Sequence, residues 1–214
     1  MTAELFVVGA GGFGRETLDV IAAINRASDS FRVLGVVDDS PSAVNLGRLE
    51  ASGSAWLGTA AEVIATHAPA GYALAIGDPT ARRTVAGAFE AAGWQAVTLI
   101  HPAAVLGSVA AIGAGCIICG GVQLSTNTRL GRFVQLNPNA TIGHDTDLGD
   151  FVSVNPAAVV SGEVRIDPEV LVGAGAVILQ GLTVGSGSTI GAAACVTKPV
   201  PSNAVAKGVP ARWA

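Results

Sequence analysis

Every sixth residue from Ile100 onward is leucine, isoleucine or valine. The series runs Ile100, Leu106, Ile112, Ile118, Leu124, Leu130, Leu136, Ile142, Leu148, Val154, Val160, Ile166, Val172, Ile178, Val184, Ile190 and Val196, seventeen positions without a break. Neither the 3.6-residue period of a helix nor the two-residue period of an ordinary strand produces this spacing. The residue four places after each aliphatic is small or short, as at Ala104, Ala110, Cys116, Val122 and Thr128. The residue directly after it is glycine in eight hexads, among them Gly107, Gly113, Gly143 and Gly191. Glycine there suits a tight corner, because it accepts backbone angles that other residues avoid. A six-residue period is the signature of a parallel β-helix. Three hexads close one triangular coil, so the series predicts nearly six coils, with each aliphatic stacked on its equivalent one coil later. Repeat arrays need closed ends. The segment before the hexads is expected to cap one end, and the tail 197–214 to leave the repeat at the other.

This reading resolves a puzzle in the composition. Half of the 214 residues are hydrophobic and only 13% are charged. Pro102 to Thr128 and Val170 to Thr197 carry no charge at all, and each is longer than the roughly 20 apolar residues that span a bilayer. Neither is flanked by the aromatic and basic residues that anchor spanning helices, and the β-helix gives their aliphatic side chains an interior to fill. No membrane insertion is expected. The net charge of −4 and the lack of a basic patch exclude nucleic acid as a partner. The N-terminal Met1-Thr2-Ala3-Glu4 lacks the positive region of a signal peptide. Three cysteines, an odd number without framework spacing, fit a reducing cytoplasm. Cys116 and Cys119 form a CxxC that no second pair completes into a zinc site, so both are read as packing residues.

Residues 1–99 read differently and hold 16 of the 28 charges. Leu5 to Val8, Phe31 to Val37 and Tyr72 to Ile76 are short apolar, β-branched runs. A helical period runs from Arg15 to Ala27, opened by Gly14. Asp78-Pro79 starts a second helix that ends near Gly93, with aspartate as cap and proline at the first helical position. Strand, glycine loop, helix and strand in that order predict a small Rossmann-like α/β unit with a parallel sheet. Within it, Gly9-Ala10-Gly11-Gly12-Phe13-Gly14 fits GxGxxG, and Asp38 follows at nearly the spacing of a ribose-binding acid. On motif alone this permits a dinucleotide such as NAD. Under 100 residues, however, cannot hold the two mononucleotide halves of a full dinucleotide fold, and a half-sized unit suits a nucleoside diphosphate. The predicted organisation is therefore an α/β unit over 1–99, a β-helix over 100–196 and a tail over 197–214.

The uninterrupted hexads resemble left-handed β-helix acyltransferases. VVGAGGFGRE near the N-terminus, AIGDPTARR, the LIHPAA lead-in, TIGHDTDLGD in the repeats and GVPAR near the C-terminus narrow the likeness. Together they resemble bacterial sugar acetyltransferases, a family of sialic acid O-acetyltransferases and N-acetyltransferases of nucleotide-linked 4-amino sugars. The resemblance covers the whole chain. It implies a homotrimer of side-by-side prisms with acetyl-CoA as co-substrate between neighbours, no metal, and the nucleotide sugar held by the N-terminal unit.

The residues point to the same chemistry. His144 lies two places after the inward Ile142, off the core layer, where it can act as a general base near neutral pH. A carboxylate at Asp145 would favour its protonated form, and the Gly143 N–H is a candidate oxyanion donor. The resemblance further places Asn137 near the acetyl group and cofactor contacts at Ser153, Ala174 and Ala192. It assigns Gly11, Gly12, Phe13 and Gly14, with Asp38 and Asp39, to the nucleotide sugar. Ser153 departs from relatives that carry a second histidine at this position. A β-helix carbonic anhydrase needs three histidines on a metal, and of His67, His101 and His144 only two fall in the repeats. Three functions remain: N-acetylation of a nucleotide-linked (UDP, dTDP or GDP) 4-amino sugar, O-acetylation of a sialic acid or similar sugar, and a non-catalytic nucleotide-sensing trimer.

Overall fold

The computed structural model describes residues 2–213. Its N-terminal unit runs β1 (Ala3–Val8), α1 (Gly12–Ser28), β2 (Phe31–Val37), α2 (Ala43–Ala51), α3 (Ala60–Thr66), β3 (Gly71–Leu74), α4 (Pro79–Ala91) and β4 (Gln95–Ala96). All four strands are parallel, in the order β2-β1-β3-β4. The Asp78 side chain caps α4 as expected, accepting from the Ala81 N–H. Neither α2 nor α3 was expected. The first is started by Ser42 and the second by a reciprocal Thr59–Glu62 capping box. Both are short and bury little apolar surface, so their sequences show caps but almost no hydrophobic period.

From Leu99 the chain winds into a three-faced parallel solenoid of two-residue strands. One face begins at Leu99–Ile100 and includes Gln135–Leu136 and Ser153–Val154. A second begins at Val105–Leu106 and includes Thr141–Ile142. The third begins at Ala111–Ile112 and includes Asp147–Leu148. Pairing such as Ile118↔Leu136↔Val154 steps 18 residues at a time. The hexad aliphatics are the second residue of each strand, and from Ile118 to Val196 every one is buried. The uncharged runs thus become strands of a prism, and no described helix is long and apolar enough to cross a membrane.

Three expectations need correction. Glycine after the aliphatic does not serve a left-handed corner angle. The left-handed residues lie two places later, as at Asn127, Phe133, Asp145, Phe151 and Glu163. Where glycine does hold the earlier position, successive coils nearly touch. A Cβ on Gly113 would stand 2.5 Å from the Gly131 carbonyl oxygen, and one on Gly143 2.5 Å from the Gly162 nitrogen. Second, the N-terminal unit does not cap an end. It packs laterally on the first face, where Leu99, Ile117 and Cys119 join the core beneath α1. Phe133 and Phe151, on an edge of that face, join the cluster around Tyr72 and Phe89. Third, the tail does not leave the array at Thr197. Val200 bridges to Val184, and Val205–Ala206 adds another strand beside Thr189–Ile190.

Candidate active site

His144 and Asp145 occupy the edge between the second and third faces, in the turn from Thr141–Ile142 to Asp147–Leu148. Asp145 is left-handed (φ 59°), a conformation aspartate tolerates better than most residues. Its Oδ2 lies 2.7 Å from His144 Nδ1, and its Oδ1 accepts from Asn127 Nδ2 at 2.6 Å. The hydrogen bond from Asn127, then that from His144, holds the Asp145 carboxyl below its ordinary range. An ionised carboxylate only accepts. The shared proton therefore sits on Nδ1, and neutral His144 keeps its lone pair on Nε2. His144 lines an open groove of about 590 Å³ together with Val105, Gln123, Ser125, Thr141 and Gly143 among others. Beneath the ring lies Gly162, whose added Cβ would stand 2.6 Å from Cε1 and Nε2. Gly162→Ala is expected to keep the fold, since the half-exposed ring can swing aside. It should lower turnover by about ten- to a hundredfold, the scale at which small displacements of a catalytic group act. Turnover and melting temperature measured together check this.

In the N-terminal unit the glycines divide into two kinds. At Gly9 (φ 118°) a Cβ would lie 2.6 Å from the Ala75 oxygen, and at Gly14 one would lie 1.9 Å from the Gly9 oxygen. These two close the strand–helix turn. Gly11 and Gly12 have open space where a side chain would be, at the start of α1, where free N–H groups favour an anion. Asp38 braces this loop, its Oδ2 accepting from the Ala10 N–H at 2.7 Å. Asp39 accepts from Ala60 at the start of α3. Both carboxylates flank a cavity of about 120 Å³ with Gly9, Val37 and Ile76, at the carboxyl ends of the strands where open α/β sheets bind ligands. Phe13 turns away and packs on the sheet core. Arg15, which the helical reading passed over, donates to the Ala10 carbonyl and to Asn45 and sets a positive charge beside the loop.

Residues 4–89 match the PglD N-terminal domain family. GDP-perosamine N-acetyltransferase of Escherichia coli O157:H7 is 34% identical over 140 residues, which cover 65% of this chain and 61% of that relative. The chain thus spans less than two thirds of the curated relative's length. The acetyltransferase domain of PglB from Neisseria gonorrhoeae FA1090, solved with acetyl coenzyme A, superposes with a TM-score of 0.83 at 28% identity, covering 100% of both chains. A mutant of perosamine N-acetyltransferase from Caulobacter crescentus, in complex with CoA and GDP-perosamine, gives a TM-score of 0.86 at 23% identity over 100% of this chain and 98% of that one. The fold, a PglD-type N-terminal unit on a parallel β-solenoid, is shared along the whole chain.

The remaining expected site residues fall in three places. Ser153 is buried where the two units meet and donates to the Gly77 carbonyl at 2.9 Å. It cannot contact a cofactor, and the expectation that it does is corrected. The Gly143 N–H is committed to the coil ladder, donating to Val160 at 2.8 Å, so it is not a free oxyanion donor. The N–H groups two places after each aliphatic stay outside the ladder, which is why Pro138, Pro156 and Pro168 are accommodated there. Gly162 holds this position, next to His144. Asn137 lies on the edge between the first and second faces, its amide donating to the Val154 carbonyl and to Asn155. Exposed Ala174 and Ala192 stack along that same edge. One chain therefore keeps Asn137, Ala174 and Ala192 on a different edge from His144. The Cys116 and Cys119 thiols are pushed up, by burial, to about 11 and about 12, as packing residues should be.

Proposed function

We propose that this chain transfers an acetyl group from acetyl-CoA to the amine of a nucleotide-linked 4-amino sugar. The observation that carries the reading is a half-exposed His144 on the rim of the groove, tied through Nδ1 to an ionised Asp145 so that the lone pair is on Nε2. His144 Nε2 removes a proton from the sugar amine as the nitrogen attacks the thioester carbonyl. The resulting oxyanion is met by the Gly162 N–H rather than that of Gly143. Collapse breaks the carbon–sulfur bond, and the imidazolium returns its proton to the departing thiolate, leaving CoA and the amide. Gly11 and Gly12, with Arg15, take the diphosphate, and the cavity beside Asp38 and Asp39 takes part of the nucleoside.

The proposed assembly is the homotrimer that the resemblance implies, and the placement of the expected cofactor residues on two edges supports a site shared between prisms. Asn137, Ala174 and Ala192 can meet His144 only across a boundary between two prisms. Exposed Val105, Val109 and Leu179 line the second face and its His144 edge, as a surface covered by a neighbour would.

The test is release of CoA thiol with UDP-, dTDP- and GDP-linked 4-amino sugars, run beside thermal shifts with the free nucleotides. Turnover with at least one sugar nucleotide, and a rise in melting temperature with its parent nucleotide, are expected. Turnover with free sialic acid and no nucleotide shift would replace this reading with the O-acetyltransferase. A nucleotide shift without acetyl-CoA binding would replace it with the sensor.

A further inference from the structure

The histidine–aspartate pair is held from the coil before it. Asn127 stands 18 residues ahead of Asp145 and is stacked on it, both residues left-handed (φ 54° and 59°). The Asp145 N–H donates to the Thr126 carbonyl at 3.2 Å, fixing the backbone. The Asn127 amide then takes one carboxylate oxygen at 2.6 Å, while the other faces His144 Nδ1 at 2.7 Å. The Asp145 side chain is 45% exposed. Without a second anchor its carboxylate would rotate freely into water and hold Nδ1 only part of the time. Asn127 has no other side-chain hydrogen bond among the described residues.

We propose that Asn127 is a positioning residue for the active site. It acts only through Asp145, fixing the carboxylate rotamer that keeps Nδ1 protonated and leaves the lone pair on Nε2. This rests on the reading of His144 as the base. A structural alternative is that asparagine is present because the corner needs a left-handed residue. The two separate cleanly, because glycine and aspartate also tolerate that conformation but supply no donor to Asp145.

Asn127→Gly and Asn127→Asp are therefore compared in the full chain by CoA-thiol release. Asn127→Gly is expected to melt near the parent temperature and to lower kcat about tenfold, the size of one lost hydrogen bond to a charged group, while Asn127→Asp, which also sets a like charge against Asp145, should lower kcat at least as much and melt somewhat lower. KM for acetyl-CoA and for the sugar nucleotide should be unchanged. In an Asp145→Asn background, Asn127→Gly should have no further effect, since the carboxylate it positions is gone. Parent-like kcat in either single variant, or an equal loss in the Asp145→Asn background, overturns the proposal. His144→Ala distinguishes the two levels. If it keeps full activity, the base reading fails and takes this proposal with it. If it is inactive while Asn127→Gly and Asn127→Asp are parent-like, only the role of Asn127 fails.

Discussion

Replacing His144 with alanine is expected to slow acetyl transfer about 10²–10⁴-fold, the usual contribution of a positioned general base. The melting temperature should stay where it is. The His144 side chain is 57% exposed and fills no core volume, and its backbone carbonyl, which accepts from the Glu163 N–H one coil on, is untouched by the substitution. Nucleotide affinity should also hold, because the glycine loop and the Asp38 cavity lie in the other unit. The predicted signature is a fall in kcat with nucleotide thermal shifts intact. A protonated sugar amine has no lone pair to offer, so part of the lost rate should return at high pH, where free amine accumulates without a base. Full activity in the variant would remove His144 from the chemistry. Loss of activity together with loss of nucleotide binding would point instead to a misfolded chain.

The prism was legible because its signal is strictly periodic and local. One aliphatic per hexad points inward, and nothing elsewhere in the chain alters that. His144 was legible for the complementary reason, since it sits out of phase with Ile142 and next to a carboxylate. What could not be read depends on contacts between distant segments. Gln135 and Ser153 occupy outward positions of the first face and look like solvent-facing polar residues, yet both are buried under the N-terminal unit. Which hydrogen-bonding groups stay free is equally invisible. Gly143, directly after Ile142, was the expected oxyanion donor, but its N–H goes into the ladder, whereas that of Gly162, two places after Val160, stays outside it. The glycine loop hid a similar distinction, with Gly9 and Gly14 forced by backbone contact and Gly11 and Gly12 left open.

Arg82→Met should lower stability by about 3 kcal/mol, or roughly 6–12 °C in melting temperature for a chain of this size. Two opposing effects set this value. The Arg82 side chain is fully buried, and burial lowers its pKa to about 10, partly opposed by Asp78. It stays charged at neutral pH, so holding that charge in the interior opposes folding by about 3 kcal/mol. The penalty is complete below pH 10 and fades only as pH rises from there toward the ordinary arginine value. Against it stand hydrogen bonds from the guanidinium: Nη1 shares its two protons among the Ile76 and Gly77 carbonyls within its own unit and Gln135 Oε1 on the prism, and Nη2 donates to the Phe151 carbonyl on the prism, while Nε is buried without a partner. Bonds from a charged donor contribute about 1.5–3 kcal/mol each, so their sum exceeds the penalty even after discounting for non-additivity. Methionine fills the volume and removes the charge, but it leaves buried acceptors on both units short of a donor. The loss should appear as a lower first transition in calorimetry, with the N-terminal unit melting ahead of the prism, because the bonds to Gln135 and Phe151 cross the junction. A variant as stable as the parent, or more so, would show that desolvation of the guanidinium outweighs its bonds and that the other contacts across the junction, such as the packing of Phe133 and Phe151 and the Ser153–Gly77 hydrogen bond, suffice to hold the two units together.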